Sequence, residues 1–285
     1  MNPKKDIAVI YHKDCPDGFS GAWSAYQKFG DKAEYIPFKN RWELPGIKDK
    51  EVYIIDLNFT EPILKEIKEK NKKVIVIDHH KSAVEYTGKI VDEYQYDEES
   101  AACMIAWRYF FPKKPAPRLL KYIEDIDIWK FQIPHSEEIF EVGRVIGFKS
   151  FEKWSRFTED LENEEKRKEK IEIGKILLEY KNEIIESIAE FAYEVEFEGM
   201  KILAVNNSRV FRSQIGHILA KRKPPMGIIW QEEKDGISVS LRSDGSIDVS
   251  EIAKKYGGGG HAGAAGFLLK PGTPLPWKKD KKLML

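Results

Sequence analysis

The chain has 285 residues, and its 47 lysines and arginines balance 47 aspartates and glutamates, so the formal net charge is zero. A protein that grips long nucleic acid through many phosphates usually carries a basic excess, so a nucleic-acid substrate of this chain should be short or held in a local basic cleft. No apolar run approaches the ~20 residues needed to span a bilayer, and the run at 7–10 is too short for the core of a signal peptide.

The first 100 residues alternate between strand and helix patterns. Short apolar, β-branched runs at 7–11, 52–56 and 74–78 are typical of strands buried on both faces of a parallel sheet. Between the last two runs, a charged segment with one apolar stripe follows the N-cap candidate Thr60 and predicts a helix. This βαβ unit indicates the α/β class, with a doubly wound, mostly parallel sheet.

Helical patterns follow the predicted sheet, first over residues 100–150 and then over a long segment rich in Lys and Glu at 159–192. The first half of that segment has almost no apolar face, and its apolar stripe begins near Ile173. A helix of this kind is typical of a solvated connection between domains. We therefore expect a long helical linker.

Beyond the helical segment the pattern changes to short strands. Glu198-Gly199 and Asp235-Gly236 mark the turns of two hairpins, and Asp248 is a candidate N-cap of a short helix. These features predict a smaller α+β domain. The expected organisation is a sheet domain over 1–155, a helical linker over 156–193, the α+β domain over 194–270 and a peripheral tail over 271–285.

The chain contains two cysteines, Cys15 and Cys103. They do not form a metal-binding C-x-x-C pair, and two are too few for a disulfide framework in a chain of this length. We therefore expect a reducing, cytoplasmic setting and a metal site built without thiolates, and the lack of a long apolar run predicts no association with a membrane.

Ligand-type side chains follow three of the predicted strands. Open parallel sheets bind ligands at the carboxyl ends of their strands, so these side chains should meet at one edge. A fourth acidic pair lies at a predicted helix end. The candidates are His12, Asp14 and Asp17 after the first strand, Asp56 after the second, Asp78, His79 and His80 after the third, and Asp125 and Asp127 at the helix end.

Imidazole and carboxylate donors suit a hard to borderline divalent cation such as Mn²⁺ or Mg²⁺. The carboxylates suffice for two ions, which in phosphoryl transfer stabilise both the attacking and the leaving oxygen. Each residue could also have a structural role: Asp56 alone can cap a helix, and Asp125 and Asp127 can be helix-end charges. A buried group of carboxylates is costly without cations, which favours the metal interpretation. His135 and His217 lie outside these clusters and are interpreted as structural.

A second candidate site is the glycine-rich stretch GGGGHAGAAGF at 257–267. It lacks the Lys-Ser/Thr of a Walker loop, but glycine backbone can approach a phosphate closely and donate N–H groups to it. The alternative is a turn without a ligand. Four consecutive glycines lose much conformational entropy on folding, so we favour a substrate-binding role for Gly258, Gly259, Gly260 and His261.

Together these motifs resemble the DHH phosphoesterases. The resemblance rests on Asp78-His79-His80 after an apolar strand, on VYIIDLNF at 52–59, on Ser-Ala-Ala at 100–102, and on the segment 240–267. That last segment, with its Gly-Gly-Gly-His stretch, is similar to the DHH-associated C-terminal domain. The resemblance covers residues 7–268, and the combination of motifs is far more specific than the DHH triplet alone.

The resemblance implies two manganese ions in the N-terminal domain, with Mg²⁺ as the alternative. Asp56 would bridge the ions, His80 would contact substrate phosphate or support the ligands, and Asp78 would orient its neighbours. Arg242 and His261 of the second domain would hold substrate phosphate or the terminal nucleotide. The other implied ligands are His12 and Asp17 on one ion and His79 and Asp125 on the other.

One position departs from the family pattern, which often places two ligating acids two residues apart in the first motif. If Asp17 is the first of them, the second position falls on Phe19, which cannot bind a metal. If Asp14 is one of them, the loop must bulge by one residue. Asp14 stays open as a ligand, and so does the choice between Asp125 and Asp127.

The resemblance and the neutral charge predict a manganese-dependent phosphodiesterase. Its substrates would be short single-stranded RNA or DNA, or linear or cyclic dinucleotides, hydrolysed to mononucleotides by a metal-activated water. Trp129 and Phe131 are candidates for stacking a base or for core packing. The alternatives are a pyrophosphatase or short-polyphosphatase, and a non-catalytic module that binds nucleic acid or protein. The oligomeric state stays open, with a homodimer as one option.

Overall fold

The computed structural model describes residues 5–39 and 41–279. The chain forms two compact units, Met1–Leu178 and Glu179–Leu285. Within the described ranges, no helix is both long enough and apolar enough to cross a bilayer.

The first unit is built on a five-stranded sheet in which every strand is parallel to its neighbours. The strand order is β2-β1-β3-β4-β5, so the chain moves outward in one direction after β1 and in the other direction from β3 onward. The topological switch point therefore lies between β1 and β3, where open α/β sheets bind ligands. The strands are β1 (Ile7–His12), β2 (Ala33–Phe38), β3 (Glu51–Ile55), β4 (Lys73–Asp78) and β5 (Glu93–Tyr96).

Successive strand residues point to opposite faces of this sheet, and both faces are covered. Val9 and Tyr53 face one buried cluster with most of the helices, whereas Ile10 and Ile54 face a second cluster with Leu64. This explains why the strands are continuous apolar runs and confirms the doubly wound α/β prediction. The helices of the first unit are α1 (Pro16–Phe29), α2 (Glu61–Lys70), α3 (Val84–Ile90), α4 (Ala102–Phe110), α5 (Arg118–Asp127), α6 (Ser136–Ile146) and α7 (Phe151–Glu162), and α8 (Glu164–Glu190) continues into the second unit.

The start of the predicted linker belongs to the core of the first unit. Trp154, Phe157 and Leu161 lie on one face of α7 and are 0–2% exposed. Trp154 also donates a hydrogen bond from Nε1 to Ser20 Oγ at 3.1 Å. The linker prediction for 156–162 was wrong, because these widely spaced apolar residues are hidden among charged ones that face solvent.

The second unit contains a seven-stranded mixed sheet with the order β10-β11-β9-β8-β7-β6-β12. Only the β7–β8 pair is parallel, because α9 connects these two strands. The unit confirms the prediction of a second, mixed-sheet domain. Its elements are β6 (Tyr193–Phe197), β7 (Met200–Asn206), α9 (Arg212–Arg222), β8 (Met226–Glu233), β9 (Gly236–Ser243), α10 (Val249–Lys255), β10 (Gly259–His261), β11 (Ala264–Leu269) and β12 (Lys278–Lys279).

Most local signals in this unit were accurate, but the tail prediction was not. The first hairpin turns at Glu198-Gly199 as predicted, the second turns at Lys234-Asp235, one residue earlier than predicted, and Asp248 caps α10 by accepting a hydrogen bond from Ser250 N. The predicted peripheral tail instead returns to the sheet as β12, and Trp277 is 5% exposed in the core. The rest of the predicted tail, from residue 280, lies outside the described residues.

We expect Trp154→Ala to lower the free energy of unfolding of the first unit by about 3–5 kcal/mol, because it removes a large side chain from a closed core. Chemical denaturation followed by circular dichroism measures this change. Trp129→Ala is the matched control, since Trp129 is 80% exposed, and it should change stability by no more than about 0.5 kcal/mol. Equal losses in the two variants would contradict the assignment of α7 to the core.

Candidate metal centre

The carboxyl ends of three adjacent strands carry the candidate site. His12 ends β1, Asp56 follows β3 directly, and Asp78 ends β4. Because β1, β3 and β4 are neighbours in the sheet, these residues lie side by side at the switch point. His79 and His80 continue from β4 into the same region.

Asp56 lies at the centre of these strand-end side chains, which together with Asp17 and Asp127 are called the group below. Its Oδ2 is 3.5 Å from His12 Nδ1, and its Oδ1 is 3.6 Å from His79 Nε2. The residue is 3% exposed and has a positive φ of 56°, a left-handed conformation that costs most L-residues energy but that aspartate adopts more readily than most. Burial alone would raise the pKa of Asp56, but the imidazoles of His12 and His79 outweigh it and hold this pKa well below its usual range.

Gly18 makes room for Asp56. A Cβ at this position would lie 3.0 Å from Asp56 Oδ2 and 2.7 Å from the carbonyl oxygen of His12. Only a glycine lets the first turn of α1 approach the strand ends this closely.

Asp17, in the first turn of α1, is fully buried, and backbone groups of another helix hold its carboxylate in place. Its carboxylate accepts hydrogen bonds from the backbone N–H groups of Ala102 and Cys103 at 2.9 and 2.7 Å. These groups belong to the N-terminus of α4, where the helix dipole favours a negative charge. Burial and the charges of Asp56 and Asp127 raise the pKa of Asp17 well above its usual value.

His79 connects three carboxylates. Its Nε2 lies 3.5 Å from Asp127 Oδ2 and 3.8 Å from Asp17 Oδ2, in addition to its contact with Asp56. Burial lowers the pKa of His79, but these carboxylates outweigh burial and raise it to about 9. Burial and the charge of Asp56 raise the pKa of Asp127 to about 6. The carboxylates therefore create a strong demand for positive charge at this point.

Of the two acids left open by the sequence, Asp127 lies in this group and Asp125 does not. Asp125 is buried, but its carboxylate accepts hydrogen bonds from Gln132 N at 2.8 Å, Ile133 N at 3.2 Å and Ser136 Oγ at 2.6 Å. Residues two apart on a helix point in different directions, so only one of the pair can face His79. The structure therefore favours Asp127 over Asp125 as the candidate ligand, and the ligand role itself stays a prediction.

Asp125 anchors the loop that follows α5. Its carbonyl oxygen accepts hydrogen bonds from Lys130 N and Phe131 N, at 2.9 and 3.2 Å. The loop presents Trp129 and Phe131, both with positive φ, at 80% and 48% exposure. Their rings meet edge to face with centroids 5.6 Å apart. These two aromatic residues are not core residues, and Trp129 lies two positions from Asp127.

The first motif differs from its prediction. Asp14 is exposed, and its carboxylate lies 3.8 Å from Lys39 Nζ rather than in the group. Phe19 is buried and stacks on Phe151 with ring centroids 4.9 Å apart. Instead, Cys15 Sγ lies with donor atoms of His12 and Asp56, all within 4.8 Å of one another. Cys15 is absent from the predicted ligands because no second cysteine is near it in sequence, and the signal that could identify it is its position three residues after a strand-end histidine.

His80 and Asp78 form a supporting pair at the edge of the group. His80 Nδ1 lies 2.7 Å from Asp78 Oδ1, and 3.8 Å from Asp56 Oδ1. The hydrogen bond with Asp78 raises the pKa of His80. The His80 side chain is 46% exposed, so Asp78 fixes a ring that a substrate can reach.

The donor atoms fit divalent cations. Among the described residues, Asp56 Oδ2, Asp78 Oδ2 and Asp127 Oδ2 are buried without a hydrogen-bond partner. Buried carboxylate oxygens are normally satisfied, so unpartnered ones beside imidazoles indicate that an ion completes them. Two groups of three donors offer positions for ions: Asp17, His79 and Asp127 form one group, and His12, Cys15 and Asp56 form the other.

In the second unit, the strand register places Arg242 and His261 on one face of the sheet. His261 pairs with Ala264 of β11, and Ala264 pairs with Arg242 of β9. Directly opposite residues of antiparallel strands share a face, and strands lie about 4.8 Å apart, so the two Cα atoms are about 10 Å apart across a small residue. Arg242 is fixed by a hydrogen bond from Nη2 to Ser213 Oγ at 3.0 Å.

Two of the glycines before His261 are also required by the close packing of the strands. A Cβ at Gly258 would lie 2.1 Å from the carbonyl oxygen of Gly266, and Gly260 has a φ of 147° and would clash with Ala264 O at 2.5 Å. Close pairing of β10 and β11 therefore requires both glycines. A Cβ at Gly259 meets no described atom within 4 Å, which leaves its backbone accessible to a ligand.

The contrast between Asp127 and Asp125 gives a paired prediction. We expect Asp127→Asn to weaken Mn²⁺ binding about 10-fold or more, because a ligand charge is lost, while the fold stays intact. Asp125→Asn should instead cost about 1.5–3 kcal/mol of stability, since it weakens charge-assisted hydrogen bonds that hold the loop. Calorimetric Mn²⁺ titration and denaturant unfolding of both variants measure the two effects. The reverse pattern would make Asp125 the ligand.

Known proteins resemble this chain in both units. The DHHA1 domain family matches residues 200–274. An uncharacterised protein of Acanthamoeba polyphaga mimivirus is 32% identical, with 94% of this chain and 68% of that protein covered. The oligoribonuclease NrnB of Bacillus subtilis is 24% identical, with 92% of this chain and 66% of that protein covered. This chain thus spans about two thirds of the length of each relative.

A solved structure shows the same fold. The DHH domain of a member of the S1p family of ribosomal proteins superposes with a TM-score of 0.61 at 17% identity, covering 92% of this chain and 82% of that one. In this chain the DHH triplet lies at the end of β4, and the GGGH stretch forms a strand of the second unit. The chain therefore belongs to the DHH family and carries a DHHA1 domain in its second unit.

Proposed function

We propose that this protein is a Mn²⁺-dependent phosphodiesterase that releases mononucleotides from short single-stranded oligonucleotides and dinucleotides. The observation that carries the proposal is the set of unpartnered, buried oxygens of Asp56 and Asp127 beside His79 at the switch point. The resemblance to an oligoribonuclease supports the same substrate class.

The chain's donor set suits two cations that share Asp56. Asp17, His79 and Asp127 would hold one ion, and His12 with Asp56 would hold the other. When bound, such ions neutralise phosphate charge and lower the pKa of a water molecule at the scissile phosphate. Mn²⁺ accepts imidazole together with carboxylates, whereas Mg²⁺ favours oxygen donors, so we favour Mn²⁺.

His80 would act on the substrate directly. Asp78 holds Nδ1 of the ring, which leaves Nε2 to donate a hydrogen bond to a phosphate oxygen. Its raised pKa favours the protonated form, which binds an anion more strongly. This residue would therefore stabilise the negative charge that grows on the phosphate during hydrolysis.

The aromatic loop favours nucleotide substrates over pyrophosphate. Trp129 and Phe131 present exposed rings two and four residues after the ligand candidate Asp127. Stacking on a base contributes about 1–3 kcal/mol and tolerates any sequence. A pyrophosphatase has no use for such a surface, and a non-catalytic module has no use for a full set of metal ligands.

The second unit carries its own candidates for binding phosphate. Arg242 and His261 offer two donors across about 10 Å of sheet, a span that suits a terminal phosphate and its nucleotide. A short substrate also agrees with the zero net charge of the chain.

Side-by-side hydrolysis assays test the proposed reaction. With Mn²⁺, the dinucleotide pApA and an RNA 5-mer should release mononucleotides faster than a long single strand, and pyrophosphate should remain intact. Asp56→Asn should lose activity by a factor of about 10³ or more, since it removes the bridging charge. Asp14→Asn is the matched control and should retain activity, because its carboxylate lies outside the group. Phosphate release from pyrophosphate alone would support the alternative, and inactivity on every substrate with bound Mn²⁺ would support the binding module.

Trp129→Ala tests the stacking surface. We expect the KM for the RNA 5-mer to rise about 5- to 150-fold, the equivalent of ~1–3 kcal/mol, because the base loses its platform. Trp129→Phe should restore most of the affinity, and Mn²⁺ binding should be unchanged in both variants. Unchanged KM in Trp129→Ala would remove this residue from substrate recognition.

A further inference from the structure

The two groups of donor atoms in the candidate metal centre differ in the number of carboxylates they contain. Asp17, His79 and Asp127 supply oxygen and nitrogen to one side, together with Asp56. On the other side, His12 and Asp56 supply one imidazole and one carboxylate, and Phe19, the position of a possible second acid in the first motif, is buried against aromatic rings. No carboxylate of the first motif other than Asp17 reaches the described group.

Cys15 is the third potential donor that the structure places beside His12 and Asp56. It is the N-cap residue of α1, with extended backbone (φ −109°, ψ 127°), and its side chain makes no capping hydrogen bond. Its Sγ lies within 4.8 Å of donor atoms of both His12 and Asp56. The following Pro16 starts the helix, and the carbonyl of Cys15 accepts the first helical hydrogen bond from Phe19 N at 3.0 Å. The backbone at Cys15 is therefore held in place, and its partly buried thiol faces the Asp56 carboxylate.

A second, independent observation points to an ion at the same place. Asp56 Oδ2 faces His12 Nδ1 at 3.5 Å, is buried, and has no hydrogen-bond partner among the described residues. Gly18 keeps this oxygen accessible from the α1 side, where any Cβ would contact it. An ion between His12, Cys15 and Asp56 would satisfy it.

We propose that Cys15 is a thiolate ligand of the ion on the His12 side, so that this centre has one hard position and one softer position. The inference rests on the proposed function, since it names a ligand of the same centre. On binding, the Sγ–H bond breaks, an Sγ–metal bond forms, and the proton leaves to solvent. Thiolate and imidazole donors favour Zn²⁺, Co²⁺ or Fe²⁺ over Mn²⁺, whereas the Asp17 side retains oxygen-rich donors that suit Mn²⁺.

Cobalt substitution tests the thiolate bond independently of activity. The protein freed of metal is titrated with Co²⁺, bound cobalt is counted by mass spectrometry, and the near-ultraviolet charge-transfer band of a cobalt–thiolate bond is recorded. The band should appear in the wild type and disappear in Cys15→Ala and Cys15→Ser. Cys103→Ala is the matched control, because Cys103 is the other cysteine and is fully buried in the core, and it should retain the band.

Two further measurements check the same bond. Bound Co²⁺ should slow alkylation of Cys15 about 10-fold or more, because the ligated sulfur is no longer a free nucleophile. Cys15→Asp, which supplies the missing carboxylate, should bind Mn²⁺ at least as tightly as the wild type and lose its preference for Co²⁺ by about 10-fold.

The outcomes separate this inference from the proposed function. Wild-type protein that binds two cobalt ions and hydrolyses pApA without a thiolate band would overturn the role of Cys15 and leave the proposed function in place. A band that persists in Cys15→Ala would also overturn it. Wild-type protein that binds no divalent cation would overturn both.

Discussion

The mutual repulsion of Asp17, Asp56 and Asp127 is the constraint on which the rest of the structure depends. All three carboxylates are mostly removed from water, and one imidazole, that of His79, lies 3.5–3.8 Å from each. Such a group is unfavourable unless positive charge offsets it. The N-terminus of α4 supplies part of that charge to Asp17, and His79 supplies another part. The remaining demand, expressed by carboxylate oxygens without hydrogen-bond partners, is what makes this edge of the sheet a candidate metal centre.

The fold meets that constraint through its strand order. Since β1, β3 and β4 are neighbours, three chain segments that are far apart in sequence end within one side-chain length of one another. The cost is visible in the backbone, where Asp56 takes a positive φ directly after β3. The cores on both faces of the sheet hold the strand ends in position, so the strain is retained rather than relaxed.

The sequence predicts the strand ends well, because continuous β-branched runs followed by acids are typical of buried parallel strands with a site at their carboxyl ends. It does not resolve choices that depend on side-chain direction. The sequence pattern does not distinguish Asp125 from Asp127. In the structure, residues that follow α5 donate hydrogen bonds to the Asp125 carboxylate, which leaves it unavailable to the group around His79. Cys15 escapes prediction because metal-binding cysteines usually come in pairs along a chain, whereas its partners are a histidine and an aspartate from separate strands. The core residues of α7 escape it for a related reason, since charged neighbours conceal their spacing.

Asp125 has a consequence that extends beyond the loop it holds. The same residue fixes the loop through its carboxylate and its carbonyl, and that loop begins beside Asp127 and displays Trp129. The proposed ion ligand Asp127 and the proposed base-stacking residue Trp129 thus depend on the same anchor. A substitution of Asp125 would therefore disturb both Asp127 and Trp129. Substrate range at this centre should instead diversify through exchange of the aromatic residues, with Asp125 kept unchanged.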